Sequence, residues 1–95
     1  MGDEMDEVKL NILKSDAFVS IITENFVKQD ERFKECQEAE RQNKPMYALV
    51  EKGVDIGRFK QFNWRKTYIF ESQPDMFNIS LAIKKDLRWY YAVGA

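Results

Sequence analysis

Two apolar runs, Ala17-Phe18-Val19-Ser20-Ile21-Ile22 and Met46-Tyr47-Ala48-Leu49-Val50, constrain this chain more than any other feature. Both are apolar on each face, and the first is rich in β-branched residues, the pattern of strands buried on both sides as in a parallel sheet. Between them, from about Asp30 to Asn43, lie strong helix formers with Phe33, Cys36 and Ala39 on one face. Asp30 is placed to cap that helix, and an acidic first turn suits its N-terminus. Asn43-Lys44-Pro45 stops it. Strand, helix, strand in this order implies parallel pairing through a right-handed crossover.

The flanks extend the pattern. Met5, Val8, Ile12 and Leu13 recur at helical spacing, with acids early and Lys9 and Lys14 late, which predicts an amphipathic helix over residues 4–14 aligned with its macrodipole. Thr23-Glu24-Asn25 is turn chemistry. Residues 51–66 read as the longest loop, and Thr67-Tyr68-Ile69-Phe70 as a third strand. Pro74-Asp75 opens a last helix whose buried face is marked by Met76, Ile79, Ile83, Leu87 and Tyr90. The expected architecture is α/β: a partial flavodoxin-like, three-layer fold with a short parallel sheet in spatial order 17–22, 46–50, 67–70 and helices on both faces. The 95 residues fit one small domain, truncated or minimal.

Composition removes several chemistries. With no histidine, triads, proton relays and metal sites built on imidazole are excluded, and one cysteine forms neither a zinc site nor an internal disulfide. No metal or required cofactor is expected. A reducing compartment follows from the cysteine count, and the acidic start MGDEMDEV is unlike a secretory or transit signal, so the reading is cytoplasmic. No apolar run approaches the about 20 residues of a membrane span. A net charge of −1 offers no bulk attraction to nucleic acid or anionic lipid.

Three features invite a functional reading beside a plain one. Glu35 stands in an acidic helix with Asp30, Glu31, Glu38 and Glu40 and reads either as one of a solvated row or as a site carboxylate. Cys36 reads as a small buried filler, since no cation stands by to activate it. The stretch GRFKQFNWRK, residues 57–66, interleaves aromatic residues with Arg58, Lys60, Arg65 and Lys66, near Lys52. That pattern serves single-stranded nucleic acid; in the plain reading Phe59, Phe62 and Trp64 tuck against the sheet.

Three ordered pieces resemble the middle of a TIR (Toll/interleukin-1 receptor) domain, especially its bacterial and archaeal branch. ILKSDAFVSIITENF (12–26) resembles that family's helix end, central strand and Ser/Thr-x-Asn-Phe/Tyr turn. In NFVKQDERFKECQEA (25–39), Glu35 and Ala39 fall where the family has Glu-Leu-x-x-Ala, and NKPMYALVEKGVDIGRF (43–59) resembles the next strand and loop. Gln29, Glu31 and Arg32 replace the family's Ser-x-Trp-Cys positions, Cys36 replaces the leucine, and the N-terminal part of the family fold has no counterpart. The resemblance implies Glu35 as the catalytic carboxylate of an NAD glycohydrolase, stabilising an oxocarbenium-like ribose. It also implies a nucleotide site from Thr23, Asn25, Phe26 and Glu35, with NAD as substrate or ligand. A nucleoside deoxyribosyltransferase-like enzyme is a related reading.

The departures favour a degenerate interaction or nucleotide-binding module over an enzyme. Without the family's preceding strand, AFVSII becomes a sheet edge that carries no charge, proline or bulge. The expectation is a homodimer, or assembly with another TIR-like protein, through Phe18, Val19 and Ile21; the alternative is that the helix over residues 4–14 shields the edge. Trp89-Tyr90-Tyr91 is expected to cap the core or meet a partner.

Overall fold

The structure, a computed structural model, describes residues 4–93. Its elements are α1 (Glu4–Lys14), β1 (Phe18–Ile22), α2 (Asp30–Arg41), β2 (Met46–Glu51), β3 (Trp64–Phe70) and α3 (Gln73–Ala92), with 3-10 turns at Phe26–Lys28 and Gly57–Gln61. The sheet is three-stranded and wholly parallel in the order β1-β2-β3, as the alternation of strands and helices requires. Register runs from Phe18 opposite Met46 to Ile22 opposite Val50.

Side chains from alternate positions of the strands enter two layers. One face packs under α1 and α2, where Ile12, Cys36, Ala39, Met46, Phe59 and Phe62 form a cluster joined by Val8, Phe18 and Phe33. The other packs under α3, where Tyr47, Leu49, Phe70, Ile79 and Ile83 meet, flanked by Met76 and Leu87. Leu13 points outward, and the side chain of Met5 lies outside the described residues. Among the described residues, no helix is long and apolar enough to cross a membrane.

The strands differ from expectation in two places. Met46–Val50 is buried throughout, but Val19 and Ile21 of β1 are 46% and 45% exposed. The reason is reach: α3 packs over β2 and β3 and leaves that face of β1 bare. The third strand begins at Trp64 rather than Thr67, because a register shift between Met46 and Tyr47 lets Met46 pair with Trp64 and Tyr47 with Lys66.

Helix ends follow local chemistry. The N-cap of α2 is Gln29, without a side-chain cap, so Asp30 is the first helical residue and its carboxylate instead meets Arg58 at 2.7 Å. At the other end Asn43 has φ 59°, the Asn43 N–H donates to Glu40 O at 3.0 Å and the Lys44 N–H to Ala39 O at 3.2 Å. This is a Schellman closure with Asn in the left-handed position, which asparagine tolerates better than most residues. Asp75 accepts from the N–H groups of Glu71 and Ser72 at 2.9 and 3.3 Å, and Pro74 sits in the first turn of α3, where no helical hydrogen bond needs its missing N–H.

A polar tie joins β2, β3 and α3. The buried Tyr47 hydroxyl donates to Asp86 Oδ2 at 2.5 Å, and Arg65 Nε donates to the same oxygen at 2.6 Å. Arg65, then Tyr47, holds the Asp86 carboxyl below its ordinary value. A carboxyl depressed on folding contributes stability that is whole above the unfolded value, about 3.9 for aspartate, and lost as pH falls through the folded value. Denaturant titrations should therefore find Asp86→Asn less stable than the parent at pH 7. The gap should narrow below about pH 3.9 and close once the folded carboxyl is protonated; a gap independent of pH would show the charge to be irrelevant.

Candidate functional site

Glu35 lies on α2, and both its oxygens accept from Arg32 Nη1, at 3.1 and 2.9 Å. The spacing of three residues on one helix face makes this pair local. The structure thus puts the carboxylate in an ion pair with the residue standing at one of the positions where the TIR pattern differs.

The other residues of the nucleotide set serve the turn after β1. Thr23 Oγ1 accepts the Phe26 N–H at 3.2 Å, and the Thr23 carbonyl accepts the Val27 N–H at 3.3 Å. Asn25 is exposed, and its carbonyl takes the Lys28 N–H at 3.3 Å and Gln29 Nε2 at 3.4 Å. The Phe26 ring packs on Phe59 at 5.2 Å between centroids. Thr23, Asn25 and Phe26 are neighbours in the turn, whereas Glu35 is more than a helical turn into α2. None of the four clefts described, at residues 16/84–91, 50–69, 43–46/63–90 and 6–13/41–42, is lined by any of the four residues.

Cys36 is fully buried, with its sulfur 3.9 Å from Ser20 Oγ. Burial, foremost, pushes the thiol up to about 12; the Ser20 contact works against it, and the charges of Glu35 and Glu40 work with it. A thiol so placed is neither nucleophile nor metal ligand at neutral pH. A thiol-specific chromogenic reagent should leave it untouched in the native protein at pH 8 and label it fully in denaturant; rapid native labelling would mean that α2 opens readily.

The aromatic and basic stretch over residues 57–66 turns inward. Phe59 is fully buried and Phe62 nearly so, with Phe33 4.9 Å from Phe62 and 5.5 Å from Phe59, and the Trp64 indole N–H donates to Phe59 O at 2.8 Å. Arg58 lies 4.6 Å over the Phe33 ring while paired to Asp30, Lys52 pairs with Glu71, and Arg65 with Asp86. Those rings are part of the core and present no faces for stacking bases.

Sequence reading did not anticipate the polar groups that α2 buries beside α1. Glu38 is 5% exposed, held by Arg41 and by Gln42 Nε2 at 2.7 Å, and Gln42 also donates to Lys9 O at 3.0 Å. Arg41, foremost, holds its carboxyl below the ordinary value. The sequence signal was the run of Glu38, Arg41 and Gln42 at helical spacing; only the docking of α1 turns it into a buried tie. Lys44 Nζ adds a bond to Leu13 O at 3.1 Å. These contacts and Ile12 engage α1 with α2.

The interface residues divide. Phe18 packs inward under α1 and α2, whereas Val19 and Ile21 face outward on the α3 side of the sheet. The Phe18 N–H donates to Pro45 O at 3.0 Å, so Phe18, Ser20 and Ile22 direct their main-chain groups toward β2. Those of Val19 and Ile21 alternate away from it. Among the described residues, no hydrogen bond outside the ladder engages Val19 or Ile21. Beside this edge a cleft of about 450 Å³ is lined by Asp16, Lys84, Leu87, Arg88 and Tyr91, with the Tyr91 hydroxyl donating to Asp16 O at 2.5 Å.

Comparison of the chain with protein-family models, with curated proteins and with solved structures gives no match.

Proposed function

We propose that this chain is a TIR-like interaction module that works in the cytoplasm and assembles by accepting a strand from another chain along β1. One observation carries the reading: an apolar edge strand with two half-exposed β-branched side chains and outward main-chain groups that bond to nothing in the described residues. An unpaired edge of this kind is a template for strand addition, which supplies main-chain hydrogen bonds and covers apolar surface together. The opposite edge, β3, carries Arg65 and Lys66, charges that discourage the same pairing. A second copy and another TIR-like protein are the partners that the resemblance favours.

The enzymatic alternative finds less support. Glu35 must leave Arg32 before it can engage a ribose, and the residues grouped with it by resemblance are engaged in a turn. Incubation with NAD should release no nicotinamide above the buffer rate, with Glu35→Ala no different from the parent. Brisk release abolished by Glu35→Ala would replace the interaction reading with a glycohydrolase.

For assembly, sedimentation equilibrium at micromolar concentration should give a mass above that of one chain, and Val19→Lys should return it to the monomer. A lysine there puts a charge on the edge, the device by which edge strands discourage pairing. A monomeric parent, or an assembly that ignores Val19→Lys, overturns this reading.

A further inference from the structure

We propose that the face of β1 left bare beside α3 is a docking groove for an acidic amphipathic helix of a partner protein. The groove lies on the face of the strand and the strand-accepting site on its edge, so either can exist without the other. Ala17 and Leu87 pack against the layer of Tyr47 and Ile83 beneath α3. Val19 and Ile21 continue from Ala17 along the same face and are bare, which makes them the floor. The wall is α3. Phe77, Leu81, Lys84 and Arg88 stand at the i, i+4, i+7 and i+11 positions of a single helical stripe. Lys84 and Arg88 line the cleft of about 450 Å³ that reaches Asp16 at the foot of β1, so this stripe borders the bare strand. Phe77 and Leu81, at its other end, are exposed.

The shape calls for a helix. An open face of a parallel sheet is covered by helices, and a stripe with this spacing is one against which a second helix sets its ridges into grooves. Charge selects an acidic one. Both acids of α3 are engaged: Asp75 accepts from the Glu71 and Ser72 N–H groups, and Asp86 from Tyr47 and Arg65. No ion pair among the described residues engages Lys84, Lys85 or Arg88, so the exposed side of α3 presents positive charge. Asp16 also lines the cleft, one acid against two cations. A helix that lays apolar residues on Val19, Ile21, Leu81 and Phe77 and extends carboxylates to Lys84 and Arg88 covers the floor and meets charge with charge. A basic helix is repelled from the same wall.

Fluorescence anisotropy with a labelled helical peptide tests this. The probe has the length of α3, leucines along one face and glutamates on its flanks. The full chain should bind it saturably. Lys84→Glu with Arg88→Glu should weaken binding about tenfold, the scale of two exposed ion pairs, and Ile21→Ser, in the floor, should weaken it as well. A peptide with lysines in place of the glutamates should reverse the order, binding the Lys84→Glu, Arg88→Glu chain more tightly than the parent. That arm requires the variant to bind, so loss of its fold cannot imitate the result. Absence of saturable binding to the parent, binding indifferent to either set of changes, or equal binding of the two peptides overturns the proposal. A parent that sediments with anionic vesicles and ignores the peptide overturns it in favour of a lipid surface. A self-associating parent that Ile21→Ser makes monomeric, with no response to the peptide, overturns it in favour of a second copy.

Discussion

Burial of β2 on both faces is the constraint on which the rest of this structure depends. Met46 through Val50 have almost no solvent contact, so each must find apolar neighbours above and below the sheet. Complete burial of a large apolar side chain stabilises by about 1.5–3 kcal/mol. The Tyr47 hydrogen bond to the charged Asp86 contributes as much as one such side chain, about 1.5–3 kcal/mol, and it occurs once. Packing therefore decides where the layers sit, and the polar tie decides how α3 is aligned across them. The helices α1 and α2 must share one face and α3 the other, because β2 offers alternate residues to each.

That arrangement explains the stretch over residues 57–64. A parallel strand pair ordinarily carries a helix in its crossover. Between β2 and β3 the chain has only the 3-10 turn Gly57–Gln61, and aromatic bulk takes the place of a helix. Phe59 and Phe62 fill the space beside Phe33 and Phe26, and Arg58 closes the cluster through its pair with Asp30. Residues that on paper resembled a stacking platform are consumed in completing one layer of the core. The consequence for α2 is that Phe33 and Glu40 face this loop, while Glu35 is left on the opposite side with Arg32 for company.

The two sheet edges are unequal, and the inequality organises the functional reading. β3 ends the sheet in charge. β1 ends it in Val19 and Ile21, beside a cleft lined by Lys84 and Arg88. A three-stranded sheet has little room to bury its edges, and a chain of 95 residues hides a smaller share of its surface than a larger domain does. Association through one edge, as proposed, would relieve that shortage, and the charge on the other would discourage pairing there.

Much of this was present in residue order alone. Strand pairing, spatial order, the span of α1 and the stop at Asn43 followed from apolar periodicity and turn chemistry, because these act over a few residues and leave a local signature. The inward fate of Phe59, Phe62 and Trp64 was one of two local readings, and a sequence does not say which side of a loop meets the core. The early start of β3 at Trp64 depended on a register shift against Met46, a pairing between residues far apart in the chain. The pairing of Glu35 with Arg32, three residues away, was legible as spacing, yet only the rotamers chosen in the folded helix commit it. Exposure of Val19 and Ile21 was beyond reach of the sequence for the clearest reason. AFVSII is apolar on both faces, and which of those faces is covered was decided by how far α3 extends across the sheet, a distance set by tertiary packing and written in no single segment.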